Sequence, residues 1–418
     1  MSTRGRFSVG TNWDDAAVEA LESLPDVTDF YGSLPLGVIG HGRPAVTIPG
    51  VSRAEALRHI RRIHDAGRTF TYLVNAPSLG GRDMSPSFRT RMLDMLAWVS
   101  DAGADAVTLA SPALLETIRI RFPNIEAKIS HNATVLTVED ALHWERLGAS
   151  MICLHRCTHR NFPLLSSLAA AVSIPLQVIV TSGCVFGCPN QSSLYHMSIT
   201  ASQSTGRPEA GNAPPSPPAT GRAEAGNAPP SPTARHGQGY CFSWCHATKL
   251  EHPVELVKSA FIRPEDLQYY EDVGIKNFKL DTRVLDTPTL VARVRAYHAR
   301  RHDGDFQDLF SAFPLAYRTR VGTQMGVGDA PSEGPDRALA AFQSQQAAAG
   351  TPPLFRMDNR ALDGFIKRFL KHPCPPSCAD CDYCAAFARR ALGFDDARRT
   401  QLLQALTDYH DWLTGERG

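Results

Sequence analysis

IRPEDLQYYEDVGIKNFKLDTR (262–283) reads as one complete helix-then-strand unit. Pro264 suits the first turn of a helix, where its missing N–H costs nothing, and Gly274 suits the left-handed cap that ends one. KNFKLDT (276–282) then reads as a strand. Working outward, the same alternation runs back to the start of the chain. RFSVGTN (6–12), VTDFYG (27–32), RTFTYLVN (68–75), DAVTLAS (105–111), EAKISHN (126–132), SMICLHR (150–156) and LQVIVTS (176–182) supply seven earlier strands, making eight in all. Between them AAVEALESL (16–24), SRAEALRHIRRIHDAG (52–67), FRTRMLDMLAWVSDAG (88–103), ALLETIRIRF (113–122) and VEDALHWERLG (138–148) have helical character, and PTLVARVRAYHAR (288–300) follows strand eight as a helix. Eight strands alternating with helices predict an α/β fold, a parallel (β/α)8 TIM-like barrel. The alternative, an open doubly wound sheet, is disfavoured because no G-x-G-x-x-G follows the first strand.

The chain has 418 residues, 43% hydrophobic and 20% charged, with a formal net charge of +1. That balance suits a globular protein with a full core and gives no global field to recruit nucleic acid or an anionic membrane. MSTRGRFSVG lacks the apolar core of a signal peptide, and no apolar run reaches bilayer-spanning length, so a cytoplasmic protein with no membrane partner is expected. The basic run Arg293, Arg295, Arg300 and Arg301 is expected to be a solvated helix face, and nucleic acid is not an expected partner. The barrel domain is assigned to 1–320. Within it, GRPEAGNAPPSP (206–217) recurs as GRAEAGNAPPSP (221–232), so 202–238 is expected to be a disordered Pro/Ala/Gly insertion between strands seven and eight. A linker, 321–335, leads to a small helical Cys-rich C-terminal region, 336–418, with helices over 357–373 and 397–413.

Ten cysteines in a reducing compartment are not expected to pair as disulfides, and here they cluster. Cys184 and Cys188 directly follow strand seven, at the face where barrels place their chemistry. Cys241 and Cys245 lie later in the same loop. A floppy insertion separates the pairs in sequence but not necessarily in space, because loop closure grows only slowly in cost with length. Four thiolates suit zinc or an iron–sulfur cluster. HPCPPSCADCDYC (372–384) adds Cys374, Cys378, Cys381 and Cys384 as C-x3-C-x2-C-x2-C, a second metal site holding an iron–sulfur cluster or zinc. Its first three thiols mimic the spacing of radical S-adenosylmethionine enzymes, but its C-terminal place, Asp380 before Cys381, and a fourth thiol weigh against that reading. Cys153 and Cys157 are expected to be a buried thiol and a loop thiol.

The chain resembles the collagenase-like peptidase family U32. SHNATVLTVEDALHWERLGASMICLHRCTHRN (130–161), GYCFSWCH (239–246) and 262–283, with its Lys279-Leu280-Asp281-Thr282-Arg283 ending, are similar to elements of that family. Two departures stand out: the family's usual C-x6-C is the tighter Cys184/Cys188 pair, and the family's Glu-Gly is Asp281-Thr282. Some members are known as proteases of undefined catalytic type. Others hold a four-cysteine iron–sulfur cluster and take part in oxygen-independent hydroxylation of quinone precursors or RNA bases. The resemblance therefore implies a 4Fe-4S cluster at Cys184, Cys188, Cys241 and Cys245.

Other polar residues at strand ends would ring the barrel mouth: Asn12, Tyr31, Asn75, His131, Asn132, His155 and Arg156. His131 and His155 are candidate acid–base groups, Arg156 and Arg283 candidate clamps for a carboxylate or phosphate, and Lys279 and Asp281 share a strand face. No G-x-S-x-G elbow or H-E-x-x-H helix is present. The leading expectation is an iron–sulfur enzyme carrying out redox modification of a small molecule, peptide or nucleic-acid base, with an electron donor as partner. A peptidase with a structural metal site, and a non-catalytic cluster-bearing partner protein, are the alternatives.

Overall fold

The structure is a computed structural model that describes residues 4–42, 48–79, 81–82, 85–191, 232–310, 352–375, 377–378 and 380–415. Eight strands close a parallel barrel in chain order: β1 Arg6–Gly10, β2 Val27–Gly32, β3 Thr69–Val74, β4 Ala106–Leu109, β5 Glu126–Ile129, β6 Met151–Cys153, β7 Leu176–Ile179 and β8 Asn277–Leu280. The ring shuts between β1 and β8, with Ser8 beside Lys279. Around it lie α1 Asp15–Leu21, α2 Arg53–Asp65, α3 Pro86–Asp101, α4 Pro112–Arg121, α5 Val138–Leu147, α6 Phe162–Ala171, α7 Pro232–Glu251, α8 Val254–Lys258, α9 Leu267–Asp272 and α10 Thr287–Ala299. The unit that opens the sequence argument folds as read. Pro264 begins a short 3-10 turn that runs into α9, and Gly274 ends the helix at φ +92. A Cβ would be strained at that angle.

Alternation along the strands sorts the side chains. Phe7, Val9, Phe30, Phe70, Val107, Ile152, Val178 and Phe278 are fully buried in the main hydrophobic core. Several of the intervening positions are polar, among them Ser8, Asp29, Thr71, Thr108, Lys128, Gln177 and Lys279. Lys128 on β5 donates to Thr71 on β3 (2.8 Å) and reaches Asp29 on β2 (3.5 Å), while Asp29 also accepts from Thr71 (2.7 Å). β2 and β5 are not neighbours, so this network crosses the lumen. Gln177 donates to Ser8 (3.1 Å). The barrel interior is a hydrogen-bonded polar stack, where most barrels fill theirs with branched apolar side chains.

The C-terminal region adds β9 Phe355–Met357, α11 Tyr383–Ala391, β10 Leu392–Phe394 and α12 Asp396–Thr414, with β9 and β10 antiparallel. It shares the main core through Phe355, Met357, Leu362, Phe365 and Phe369. Arg263, 2% exposed, ties it to the barrel by donating to Asn359 O (2.8 Å) and pairing with Asp363 (2.6 Å).

Four expectations are corrected. The insertion does not extend to 238, because α7 begins at Pro232, and Cys241 and Cys245 sit on this helix and not in an open loop. The rest of that insertion, through 231, and the 321–335 linker lie outside the described residues. The single helix expected over 357–373 is two 3-10 segments, Arg360–Leu362 and Phe365–Leu370, because Gly364 takes φ +82 between them. Arg293 is buried and donates to Asp308 O (3.0 Å), so the basic run is not one solvated face.

Candidate metal centre and barrel mouth

The loop after β7 carries Cys184 and Cys188. α7 carries Cys241 and Cys245, four residues apart and so on one helix face. The two segments meet. Burial pushes the Cys188 thiol up, and Cys245 and Cys184 push it further. Burial pushes Cys241 up most strongly, and Cys245, Cys184 and Cys188 add to it. Cys241 thus lies within Coulombic reach of the other three thiols and Cys188 of Cys184 and Cys245, although among the described residues no three His, Cys, Asp or Glu side chains are already placed to hold a metal ion. Lys249, one turn further along the same face of α7, and Arg156, beside Cys188, supply opposing positive charge. Mutual repulsion of this kind keeps thiols protonated until a cation neutralises it, so the donor set fits a soft, thiolate-held metal or cluster.

The neighbouring mouth is cationic. Lys279 holds its ammonium 3.9 Å above the Tyr31 ring, and the Arg283 guanidinium lies 5.8 Å from the same ring. Tyr31 donates its hydroxyl to Leu280 O (2.8 Å), which fixes that platform. Gly10 is needed here: a Cβ would stand 2.7 Å from Arg283 Cγ and 2.9 Å from its backbone nitrogen. His131 has its pKa held well below the ordinary imidazole value, chiefly by desolvation and then by the positive charges of Arg156 and Lys279. His155 is pushed down to about 4 by burial and by Arg156, and it contacts Gln191, just past Cys188. Both imidazoles are therefore neutral at pH 7. Cys153 lies under this group, raised to about 11 by burial against the pull of Lys279. Asn75 and Asn132 are buried beside it, each with a side-chain oxygen lacking a hydrogen-bond partner.

These placements bring His131, His155, Arg156, Lys279 and Arg283 together. Asp281 is half-buried, its backbone N–H donating to Thr181 (2.9 Å), which ties the end of β8 to the β7 loop. Asn12 is drawn away from the ring and donates to Leu285 O and Thr287. Cys157 is half-buried next to His155.

Lys279 makes the mouth pH-sensitive. Burial, with Arg283 and Lys128, lowers it to about 8 despite Cys153 and Asp29. Its charge is lost as pH rises past that value. Binding of an anion such as sulfate or phosphate is expected to weaken about tenfold per pH unit above 8, measured by competition titration. Lys279→Arg should carry binding to higher pH, and Lys279→Met should remove the limb. The linkage has the opposite sign for folding. The unfolded lysine, near pKa 10.4, binds more protons than the folded one between about 8 and 10.4, so this group's contribution to stability rises with pH there.

The tail thiols also converge. Cys374, Cys378, Cys381 and Cys384 line a cavity of about 340 Å³ with Lys258 and Arg368.

Sequence reasoning missed two features. Arg160, 5% exposed in the turn after β6, donates to three carbonyls at the end of α8 and faces Cys384 and Cys374; only the folded chain brings those parts together. The second is a hydrogen-bonded chain: Thr11 Oγ1 lies 2.6 Å from His59 Nε2, and His59 Nδ1 lies 2.5 Å from Asp15 Oδ1. This is the connectivity of a nucleophile, base and orienting acid. Thr11, however, is 1% exposed and His59 2%, packed between the barrel wall and α2 with Trp13 edge-on to the imidazole. A substrate carbonyl cannot reach it in this state. A His59 signal was available in sequence as a lone polar residue on the apolar face of α2.

Fold and site together define a (β/α)8 barrel with a cationic mouth and two separate groups of convergent thiols. Residues 52–182 match the model of Peptidase family U32. The match runs from α2 to just beyond β7 and stops before Cys184, so it includes none of the eight clustered thiols. An uncharacterized protease from Methanocaldococcus jannaschii is 23% identical over 354 residues, covering 85% of this chain and 86% of that protein. Among solved structures, the U32 peptidase Mk0906 is 22% identical with a TM-score of 0.41, over 48% of this chain and 78% of that one. Thiamine phosphate pyrophosphorylase from Pyrococcus furiosus is 12% identical with a TM-score of 0.27, over 48% of this chain and 84% of that one. No helix among the described residues is long and apolar enough to cross a membrane.

Proposed function

We propose that this chain is an iron–sulfur enzyme that carries out redox modification of an anionic small molecule or peptide at the barrel mouth. The observation that carries the proposal is the meeting of Cys184 and Cys188 with Cys241 and Cys245 beside a cationic, hydrogen-bonded lumen. Bound there, a 4Fe-4S cluster would supply one-electron transfer. The chain's own residues do the rest. Arg156, Arg283 and Lys279 hold a carboxylate or phosphate of the substrate. His131 and His155, held neutral near pH 7, line the site as uncharged imidazoles and leave its positive charge to the arginines and Lys279. Asn75 and Asn132 offer buried acceptors for a donor on the substrate.

The family match and the name of the archaeal relative favour a second reading, peptide hydrolysis. The hydrogen-bonded chain Thr11, His59 and Asp15 is the candidate machinery for it, and the burial of Thr11 counts against that chain. One experiment separates the two. The full chain is purified without oxygen and assayed for iron, acid-labile sulfide and peptide cleavage. The redox reading expects iron and sulfide in near-equal amounts that Cys184→Ala depletes, and no loss of any function in Thr11→Val. Peptide cleavage that survives Cys184→Ala and disappears in Thr11→Val would replace it with the peptidase reading.

A further inference from the structure

The tail run admits either zinc or a cluster on spacing alone, and the fold carries three observations that separate them. The first is size. A zinc ion bonded at about 2.3 Å brings any two of its thiolates to within roughly 4.6 Å, twice that bond length. Cys374, Cys378, Cys381 and Cys384 line one cavity of about 340 Å³, and Cys384 feels the charges of the other three. Four thiols around a space of that volume fit a centre with its own internal atoms, in which each thiolate binds a different iron.

The second observation is charge. A four-thiolate centre is anionic; Lys258 and Arg368 line this cavity beside Asp380 and Asp382, the latter paired with Arg389, and the buried Arg160 lies within Coulombic reach of Cys384. The third is the state of Arg160 itself. Its two terminal nitrogens are spent on Val257, Lys258 and Ser259 carbonyls, and its ring stack is Phe261, Phe365 and Phe369. Its Nε remains buried without a hydrogen-bond partner, while Cys384 is its foremost electrostatic neighbour, followed by Tyr270 and Cys374. A buried guanidinium N–H with nothing to donate to is costly, and a cluster thiolate or sulfide would satisfy it.

We infer that Cys374, Cys378, Cys381 and Cys384 bind a second iron–sulfur cluster, and that Arg160, reaching from the barrel, is its positioning residue. The site is independent of the barrel-mouth centre, since it uses other thiols and another cavity. Cys374 and Cys378 are exposed, which puts this centre at the surface.

The test uses the full chain, reconstituted without oxygen with iron and sulfide, and counts iron, sulfide and zinc per chain. Two clusters require about eight irons and eight sulfides in the wild type. The double variant Cys184→Ala/Cys241→Ala is expected to keep about half of each and still give a cluster resonance on reduction. Cys378→Ser/Cys381→Ser should keep the other half. Arg160→Gln should make the reduction potential of the tail centre more negative, because a buried positive charge has gone, and Arg160→Lys should restore most of it. One zinc per chain that is lost in Cys378→Ser/Cys381→Ser, or iron and sulfide that are undiminished in Cys378→Ser/Cys381→Ser, overturns the inference. So does a Cys184→Ala/Cys241→Ala protein without sulfide. Loss of only the barrel-mouth centre would instead sink the proposed function and leave this inference standing.

Discussion

Cys241→Ser is expected to strip the barrel-mouth centre and lower turnover by at least about 100-fold, since losing an outer-shell partner alone costs a metal site 10–100-fold. Cys241 is the most enclosed of the four central thiols, 7% exposed on the inner face of α7. No solvent ligand can take its place without displacing packed atoms. Serine keeps nearly the same volume, so the fold should survive and the effect be read as lost iron. The measurement is iron and sulfide content together with turnover, set beside Cys157→Ser. Cys157 is half-buried near His155 and is read as a loop thiol, so its replacement should leave both within about twofold. Equal iron and turnover in Cys241→Ser and wild type would remove the four-thiol centre.

Arg263→Met should destabilise the protein by about 3–5 kcal/mol, the usual cost of removing one partner from a buried charge cluster. A drop in thermal midpoint on the order of 5–10 °C checks it. Arg263 stands against Glu265 (3.5 Å), Asp266 (3.4 Å) and Asp363 (2.6 Å), and also donates to Asn359 O. Asp266 gives the variant a pH signature. Burial pushes it up to about 6 even with Arg263 present. The folded protein therefore binds more protons than the unfolded one between about 3.9 and 6, and stability from this group falls as pH rises through that window. Without Arg263 the carboxyl should stay protonated further up the scale. The stability gap between variant and wild type should narrow at acid pH and widen toward neutrality.

The barrel was legible because its strands are short β-rich runs closed by turn residues, and because caps such as Gly274 mark where helices stop. α6 was not read. FPLLSSLAAA lacks the polar stripe that gives a surface helix its period, although Asn161 caps it by accepting from Leu164 N. α7 was hidden for another reason. Gly237 and Gly239 each cost about 1 kcal/mol relative to alanine inside a helix, and a Pro/Ala/Gly segment precedes them. What holds α7 is contact far away in sequence: Leu250 packs with Leu402, Leu406 and Tyr409 of α12, and Arg399 donates to Leu250 O (2.8 Å). The site was half legible. Clustering singled out the eight thiols, and strand ends singled out His131, His155 and Arg156. The Asp29–Thr71–Lys128 network and Arg160 could not be found, because each depends on pairings between segments that no local pattern joins.

The bracing of α7 by α12 also bears on the order in which the molecule is finished. The helix that presents Cys241 and Cys245 leans on a helix translated long after it. Once β8 has been made and the barrel can close, but before α12 is made, the first thiol pair can already hang from the barrel wall while the second has no fixed platform. Assembly machinery that delivered iron during synthesis would meet half a socket. Maturation of the barrel-mouth centre thus belongs after α12 has docked, and a truncation before Asp396 would be expected to yield a barrel that folds but does not load the Cys184, Cys188, Cys241 and Cys245 centre.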